Sequence, residues 1–308
     1  MNAAQALDQD HLYATLQEIL HDAVNNGKLF PPATEIQGYS HHHNKDQYQY
    51  SVQTAAGAYF IKCQHAQYRP HFEAEQTSLL TLMATETLAT CAPLVVGQFD
   101  ELSYIILQHL PLAVHGDWFS AGQQLAQMHQ CRSEKGYGFD CTTYCGETAQ
   151  DNRWNPQWAD FFVRQRLVPL IQQLEAAGTT LTNSQRCLDL CQQQLQGHQP
   201  PASLLHGDLW SGNIGFNPDK QLSFPMVFDP ASYYGDAETD LAMTELFGRF
   251  PKKFYDGYQT VTRIDEGYHQ RRNIYQLYHV LNHALLFGNN YIQQSQALIE
   301  EIIDDNTE

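Results

Sequence analysis

Apolar residues recur at helical spacing from about residue 8 to 25, with Leu12, Leu16, Ile19, Leu20 and Val24 on one face. Pro31 and Pro32 close that segment. The period then shortens to two. Tyr48, Tyr50 and Val52 alternate with polar residues, residues 55–57 read as a turn, and residues 59–63 read as the returning strand, with Lys62 near its end. A helix is expected from about Arg69 to Thr87, carrying Phe72, Leu79, Leu80 and Met83. Two more strands are expected at residues 94–96 and 104–107. Beyond Pro111 the helical period dominates. Phe119, Gly122, Leu125, Ala126 and His129 share a face, and Trp158, Phe161, Phe162, Leu170, Ile171 and Leu174 mark another helix. Leu188, Cys191 and Leu195 mark a third, and Tyr275, Tyr278, Leu281 and Leu285 a late one. The pattern predicts an α+β chain in two lobes. Residues 1–110 form a small antiparallel sheet with an N-terminal helix and one main helix, and residues 111–308 form a larger, mostly helical lobe.

Composition narrows the function classes. The 308 residues are 43% hydrophobic, which suits a globular protein. The formal net charge is -17, from 34 acidic and 17 basic residues, so the chain lacks the basic stripe of a nucleic-acid binder. An acidic body tolerates or attracts a cationic small molecule. The acidic end, Glu300, Glu301, Asp304, Asp305 and Glu308, reads as a solvated helix end. No apolar run approaches the ~18 residues of a membrane span. The N-terminus lacks the basic start and apolar stretch of a secretory signal. Seven cysteines, with pairs at i, i+4 spacing (Cys141/Cys145, Cys187/Cys191), do not form structural-zinc Cys-x-x-Cys pairs. Reduced thiols and a cytoplasmic location are the expectation.

The densest chemistry lies in residues 206–213, which read His-Gly-Asp-Leu-Trp-Ser-Gly-Asn. Asp208 precedes the carboxamide of Asn213 by five positions, and Asp229 follows sixteen positions later, after the apolar run 224–228. Phosphoryl transfer from ATP needs this set. One carboxylate (Asp208) orients the attacking hydroxyl and accepts its proton, while an amide oxygen (Asn213) and a second carboxylate (Asp229) hold Mg²⁺. Protein kinases share the Asp-to-Asn interval and the downstream metal Asp. Here Pro230 and Ala231 replace the Phe-Gly that follows that Asp in protein kinases, which points to small-molecule kinases. A His-x-Asp metal site of hydrolases, with His206 as ligand, explains neither Asn213 nor Asp229. Trp210 either packs in the core or stacks on substrate.

A nucleotide site also asks for groups in the front half. Lys62 is placed to meet the α- and β-phosphates, and Glu75 on the following helix to hold it. Glu73, the competitor, points about 200° round the helix. Residues 38–46, including Gly38 and Ser40, precede the first paired strand, where a phosphate-covering turn is expected, although only Gly38 in them is glycine. Gln108, His109 and Leu110 join the two halves and would meet adenine through backbone groups. Three consecutive histidines, His41 to His43, do not converge on one ion from an extended segment.

These segments resemble the fructosamine kinase (ketosamine 3-kinase) family of the aminoglycoside-phosphotransferase-like group. The resemblance rests on the 206–213 stretch with its Trp and on Phe228-Asp-Pro-Ala-Ser-Tyr-Tyr-Gly235. It extends to residues 236–243, 247–251, 59–62 and 72–75, and to the middle region with Tyr137-Gly-Phe139, residues 146–150, Asn152 and residues 158–167. Two departures stand out: the usual Gly pair of the covering loop is reduced to Gly38, and Gln108 stands where Glu is usual. The resemblance implies a two-lobed protein-kinase-like fold. It also implies ATP-dependent phosphorylation of the 3-hydroxyl of a ketosamine, such as a glycated lysine, with Mg²⁺ as cofactor and deglycation as the outcome. Trp210 would then wall the sugar site, and Asp236, Glu238 and Asp240 would brace the metal loop. The alternatives are transfer to another small hydroxyl compound, as in aminoglycoside- or choline-kinase-like enzymes, and an inactive nucleotide-binding relative.

Overall fold

The structure, a computed structural model, describes residues 9–26, 35–44, 47–218 and 224–306. The first part of the chain runs α1 (Gln9–Asn25), β1 (Ile36–Asn44), β2 (Gln47–Thr54), β3 (Gly57–His65), α2 (Arg69–Ala84), β4 (Ala89–Thr90), β5 (Pro93–Phe99) and β6 (Leu102–Gln108). Two compact units emerge. One comprises the described residues of Met1–Leu80 with Cys91–Pro111, and the other Thr81–Thr90 with the described residues of Leu112–Glu308.

In the first unit five antiparallel strands are ordered β1-β2-β3-β6-β5. The period-two pattern does what it predicts: Tyr50, Val52, Tyr59, Ile61, Cys63, Tyr104 and Ile106 bury one face. Leu12, Leu16, Ile19 and Leu20 of α1 cover that face, each worth roughly 1.5–3 kcal/mol of burial. Tyr104 fastens the layers by donating its hydroxyl to Asp22 at 2.5 Å. The tight turn from β2 to β3 is closed by Thr54, which accepts from the Ala56 N–H and donates to the Gly57 carbonyl.

One expectation fails here. Residues 38–44 are strand, not turn. Gly38 pairs with Gln53 and Ser40 with Ser51 in the β1–β2 register. The polar composition hid the strand, which is held by rings across the pair: His43 stacks on Tyr48 at 4.2 Å, and Tyr39 approaches Tyr50 at 6.5 Å. Lys45 and Asp46, the rest of the expected turn, lie outside the described residues.

The second unit continues with α3 (Trp118–Met128), the hairpin β7 (Thr143–Cys145) and β8 (Thr148–Gln150), α4 (Trp158–Phe162), α5 (Val168–Ala176) and α6 (Ser184–Gln196). After these come β9 (Ser203–Leu204), β10 (Ile214–Asn217), β11 (Phe224–Val227) and β12 (Tyr234–Gly235), then α7 (Glu238–Leu246), α8 (Lys252–Gln259), α9 (Tyr268–Phe287) and α10 (Asn290–Asp305). Its core gathers Trp158, Phe161, Phe162, Tyr233, Tyr275 and Tyr278 with the apolar faces of α6 and α9. A π-helical turn, Val163–Leu167, joins α4 to α5. Within it Arg166 is buried between the rings of Phe161 and Tyr233, at 4.6 and 4.3 Å, and donates to the Asp151 carbonyl and to Asn152. A three-stranded sheet is ordered β10-β11-β4, with β4 parallel to β11. The Thr90 hydroxyl donates to the Val227 carbonyl at 2.6 Å, two residues before Asp229.

Candidate active site

Asp240 organises the 206–213 stretch. It sits in the first turn of α7, 1% exposed, and each carboxylate oxygen accepts a backbone N–H: His206 at 2.7 Å and Gly207 at 2.9 Å. Burial alone would push its pKa up. Hydrogen bonding and charge from His129, 3.2 Å away, outweigh that and hold the carboxyl below its usual range. Tyr258 sits against the other nitrogen of His129 at 2.8 Å, so the brace is itself buried and bonded.

Four hydrogen bonds then stitch the stretch to the segment carrying Asp229. Leu205 N–H donates to the Tyr233 carbonyl, Ala231 N–H to the His206 carbonyl, and Phe228 N–H to the Asn213 carbonyl. The His206 ring supplies the fourth, donating from Nε2 to the Phe228 carbonyl at 3.0 Å while Nδ1 accepts from the Asp208 N–H at 3.3 Å. One tautomer satisfies both, and burial lowers the ring's pKa, keeping it neutral. His206 is therefore a structural pin, as expected of a loop-presenting residue rather than a metal ligand. Gly207 is obligatory: its φ is +84°, and a Cβ there would lie 2.1 Å from the Ala231 carbonyl oxygen.

Asp208 and Asn213 are in direct contact. The Asn213 amide nitrogen donates to the Asp208 carbonyl at 2.8 Å and to Asp208 Oδ2 at 3.2 Å. Burial, together with the nearby charges of Asp229 and Asp240, pushes the Asp208 carboxyl up to about 7, against the lowering effect of Asn213. The chemistry does not require such a rise, yet the site produces one. Asp229 follows β11 with φ +55°, a left-handed conformation that Asp tolerates better than most residues. Its side chain is exposed. Trp210 is 37% exposed and meets Phe247 edge-on at 6.3 Å, so it is not core.

In the first unit Lys62 is 5% exposed, and its ammonium lies 2.7 Å from Glu75 of α2, so it is not a solvated surface charge. Glu73 pairs instead with Arg69 at 2.8 Å on the exposed side of the helix. Gln108 and His109 have their N–H groups committed to the carbonyls of Ala92 and Ala58.

Residues 27–305 match the profile of the family described as fructosamine kinase. The chain belongs to that family. It is 42% identical over 258 residues to the probable ketoamine kinase of Vibrio parahaemolyticus, covering 82% of this chain and 88% of that one. The crystal structure of a candidate fructosamine-3-kinase from Haemophilus somnus 129PT superposes with a TM-score of 0.84 at 27% identity, over 94% of this chain and 97% of that one. The aminoglycoside phosphotransferase APH(4)-Ia aligns with a TM-score of 0.63 at 13% identity, over 96% and 100% of the two chains, a likeness of fold alone. The fold is thus protein-kinase-like and α+β, and the protein is a kinase of the phosphotransferase class acting on an alcohol group. No helix among the described residues is long and apolar enough to cross a membrane.

Two neighbours of Asp208 in this kinase escaped the sequence analysis. His279 of α9 is buried, with Nδ1 3.8 Å from Asp208 Oδ1. The Cys145 thiol completes a trio whose ligand atoms lie within 4.8 Å of one another. Burial and the charge of Asp208 keep the thiol protonated, and burial drives the His279 pKa down to about 3, so the ring beside Asp208 is neutral. In sequence His279 looks like one more residue of an aromatic-rich helix, and Cys145 like one of seven thiols. Neither spacing carries a signal.

Proposed function

We propose that this kinase transfers the γ-phosphoryl group of ATP to the 3-hydroxyl of a ketosamine, the adduct of a sugar and an amine such as a lysine side chain. The observation that carries the reading is the Asp208–Asn213 pair, hydrogen-bonded side chain to side chain and stitched to the segment that presents Asp229. A carboxylate free to accept a proton stands beside an amide whose nitrogen is already spent. The amide oxygen of Asn213 therefore remains as a hard ligand, and exposed Asp229 supplies another. This donor set fits Mg²⁺, which when bound neutralises charge on the phosphates.

Asp208 orients the acceptor hydroxyl and takes its proton as the O–P bond forms. Lys62, held by Glu75, neutralises the α- and β-phosphates. Gln108, His109 and Leu110 meet adenine through backbone groups other than the Gln108 and His109 N–H groups, which are already committed. Gly38 and Ser40 cover the phosphates from strand β1, and Trp210 walls the sugar. Seven free thiols suit a reducing, cytoplasmic setting.

The test is ADP release with Mg²⁺-ATP against fructosyl-lysine, ribulosyl-lysine, a free sugar, choline and an aminoglycoside. Turnover confined to the two ketosamines supports the reading. Equal or better turnover of choline or the aminoglycoside replaces it, and no turnover with any acceptor points to an inactive nucleotide binder.

A further inference from the structure

A row of rings leads away from Asp208 along the second unit. Next to Asp208 is His279, and one helical turn further along α9 stands His283, whose Nδ1 donates to the His279 carbonyl at 2.8 Å. His283 packs on Phe247 with ring centroids 4.6 Å apart and on Tyr291 at 5.1 Å. Trp210 also meets Phe247, edge-on at 6.3 Å, and Phe287 closes the outer end, 5.5 Å from His283 and 6.0 Å from Tyr291. Trp210 and Phe287 are 37% and 53% exposed. Exposed aromatic side chains gathered into one patch mark a binding surface more often than scattered ones do.

We propose that this aromatic shelf receives the amine substituent of the ketosamine and favours substituents that carry an aromatic or long apolar group next to the nitrogen. The inference rests on the ketosamine reading above and adds which part of that substrate the rings select. Four bonds separate the 3-oxygen from the nitrogen, a reach of roughly 5 Å. Four residues separate His279 from His283, a rise of roughly 6 Å. A hydroxyl held at Asp208 thus sets the nitrogen at the start of the shelf. The nitrogen of a ketosamine is a secondary ammonium, which ring faces attract. Burial lowers the pKa of His283, so the shelf presents it no competing positive charge. Beyond the nitrogen, the substituent runs toward Phe287.

Two substrates sharing one fructosyl group decide the matter, one built on methylamine and the other on phenethylamine. ADP release should show a higher kcat/KM for the phenethylamine adduct. Phe287→Ala should remove roughly three- to tenfold of that preference, through KM rather than kcat. Equal kcat/KM for the two substrates, or a preference that survives Phe287→Ala, overturns the proposal. If neither adduct is phosphorylated, it is the ketosamine reading that fails. Titration with phenethylammonium alone then still tests the shelf, reading the Trp210 contribution to fluorescence against Trp210→Phe. A saturable quench weakened by Phe287→Ala keeps the shelf as an aryl-ammonium site, and no quench removes it.

Discussion

Asp208→Asn should stabilise the metal-free protein while abolishing turnover. The carboxyl is raised from 3.8 to about 7, first by burial and then by the charge of Asp229. A raised folded-state pKa means the folded chain holds this proton more tightly than the unfolded chain. Stability is therefore lost as pH rises from the unfolded value through the folded one. Three units correspond to a ceiling of about 4 kcal/mol, complete above about pH 8. At pH 5 the same relation leaves a penalty of about 1.5 kcal/mol. The side chain is 20% exposed, which trims both figures, so the expected increment between the two pH values is about 2 kcal/mol. Asparagine keeps the shape and an acceptor for Asn213 and cannot ionise. The assay is urea unfolding of wild type and variant in EDTA at pH 5 and pH 8, with ADP release measured in parallel. The variant should lead by more at pH 8 than at pH 5. A lead of equal size at both pH values, or a variant less stable at pH 8, refutes the electrostatic reasoning. Retained turnover removes Asp208 from its role as proton acceptor.

Other positions give separable outcomes. Asp229→Ala should erase the gain in nucleotide affinity that Mg²⁺ provides; calorimetric titrations with and without the ion that differ as in wild type would dismiss it as a ligand. Lys62→Ala takes the ammonium away from the largely buried Glu75 carboxylate, and denaturant unfolding should show a loss of roughly 3 kcal/mol alongside weaker ATP binding. Asp240→Asn keeps one acceptor oxygen for two backbone N–H groups, costing about 1–3 kcal/mol in the same measurement and lowering kcat more than it raises the KM for ATP.

Periodicity alone determined much of this protein, because burying one face of a helix or strand leaves an imprint at 3.6 or 2 residues. Leu12, Leu16, Ile19 and Leu20 announce α1, and Tyr50 and Val52 announce the buried side of the sheet. The 206–213 stretch is equally legible, since the five-position interval from Asp208 to Asn213 is local geometry within one loop. Strand β1 was not legible: its sequence is polar, and its stability comes from cross-strand partners such as Tyr48 that lie on another strand. Nor was the environment of Asp208. Asp240, His279 and Cys145 lie 32, 71 and 63 residues from it in sequence, and only the packing of α7, α9 and β7 brings them to the loop. A residue's type and local spacing are written in the chain, whereas its dielectric surroundings, and hence whether a carboxyl ionises near pH 4 or near pH 7, belong to the assembled core.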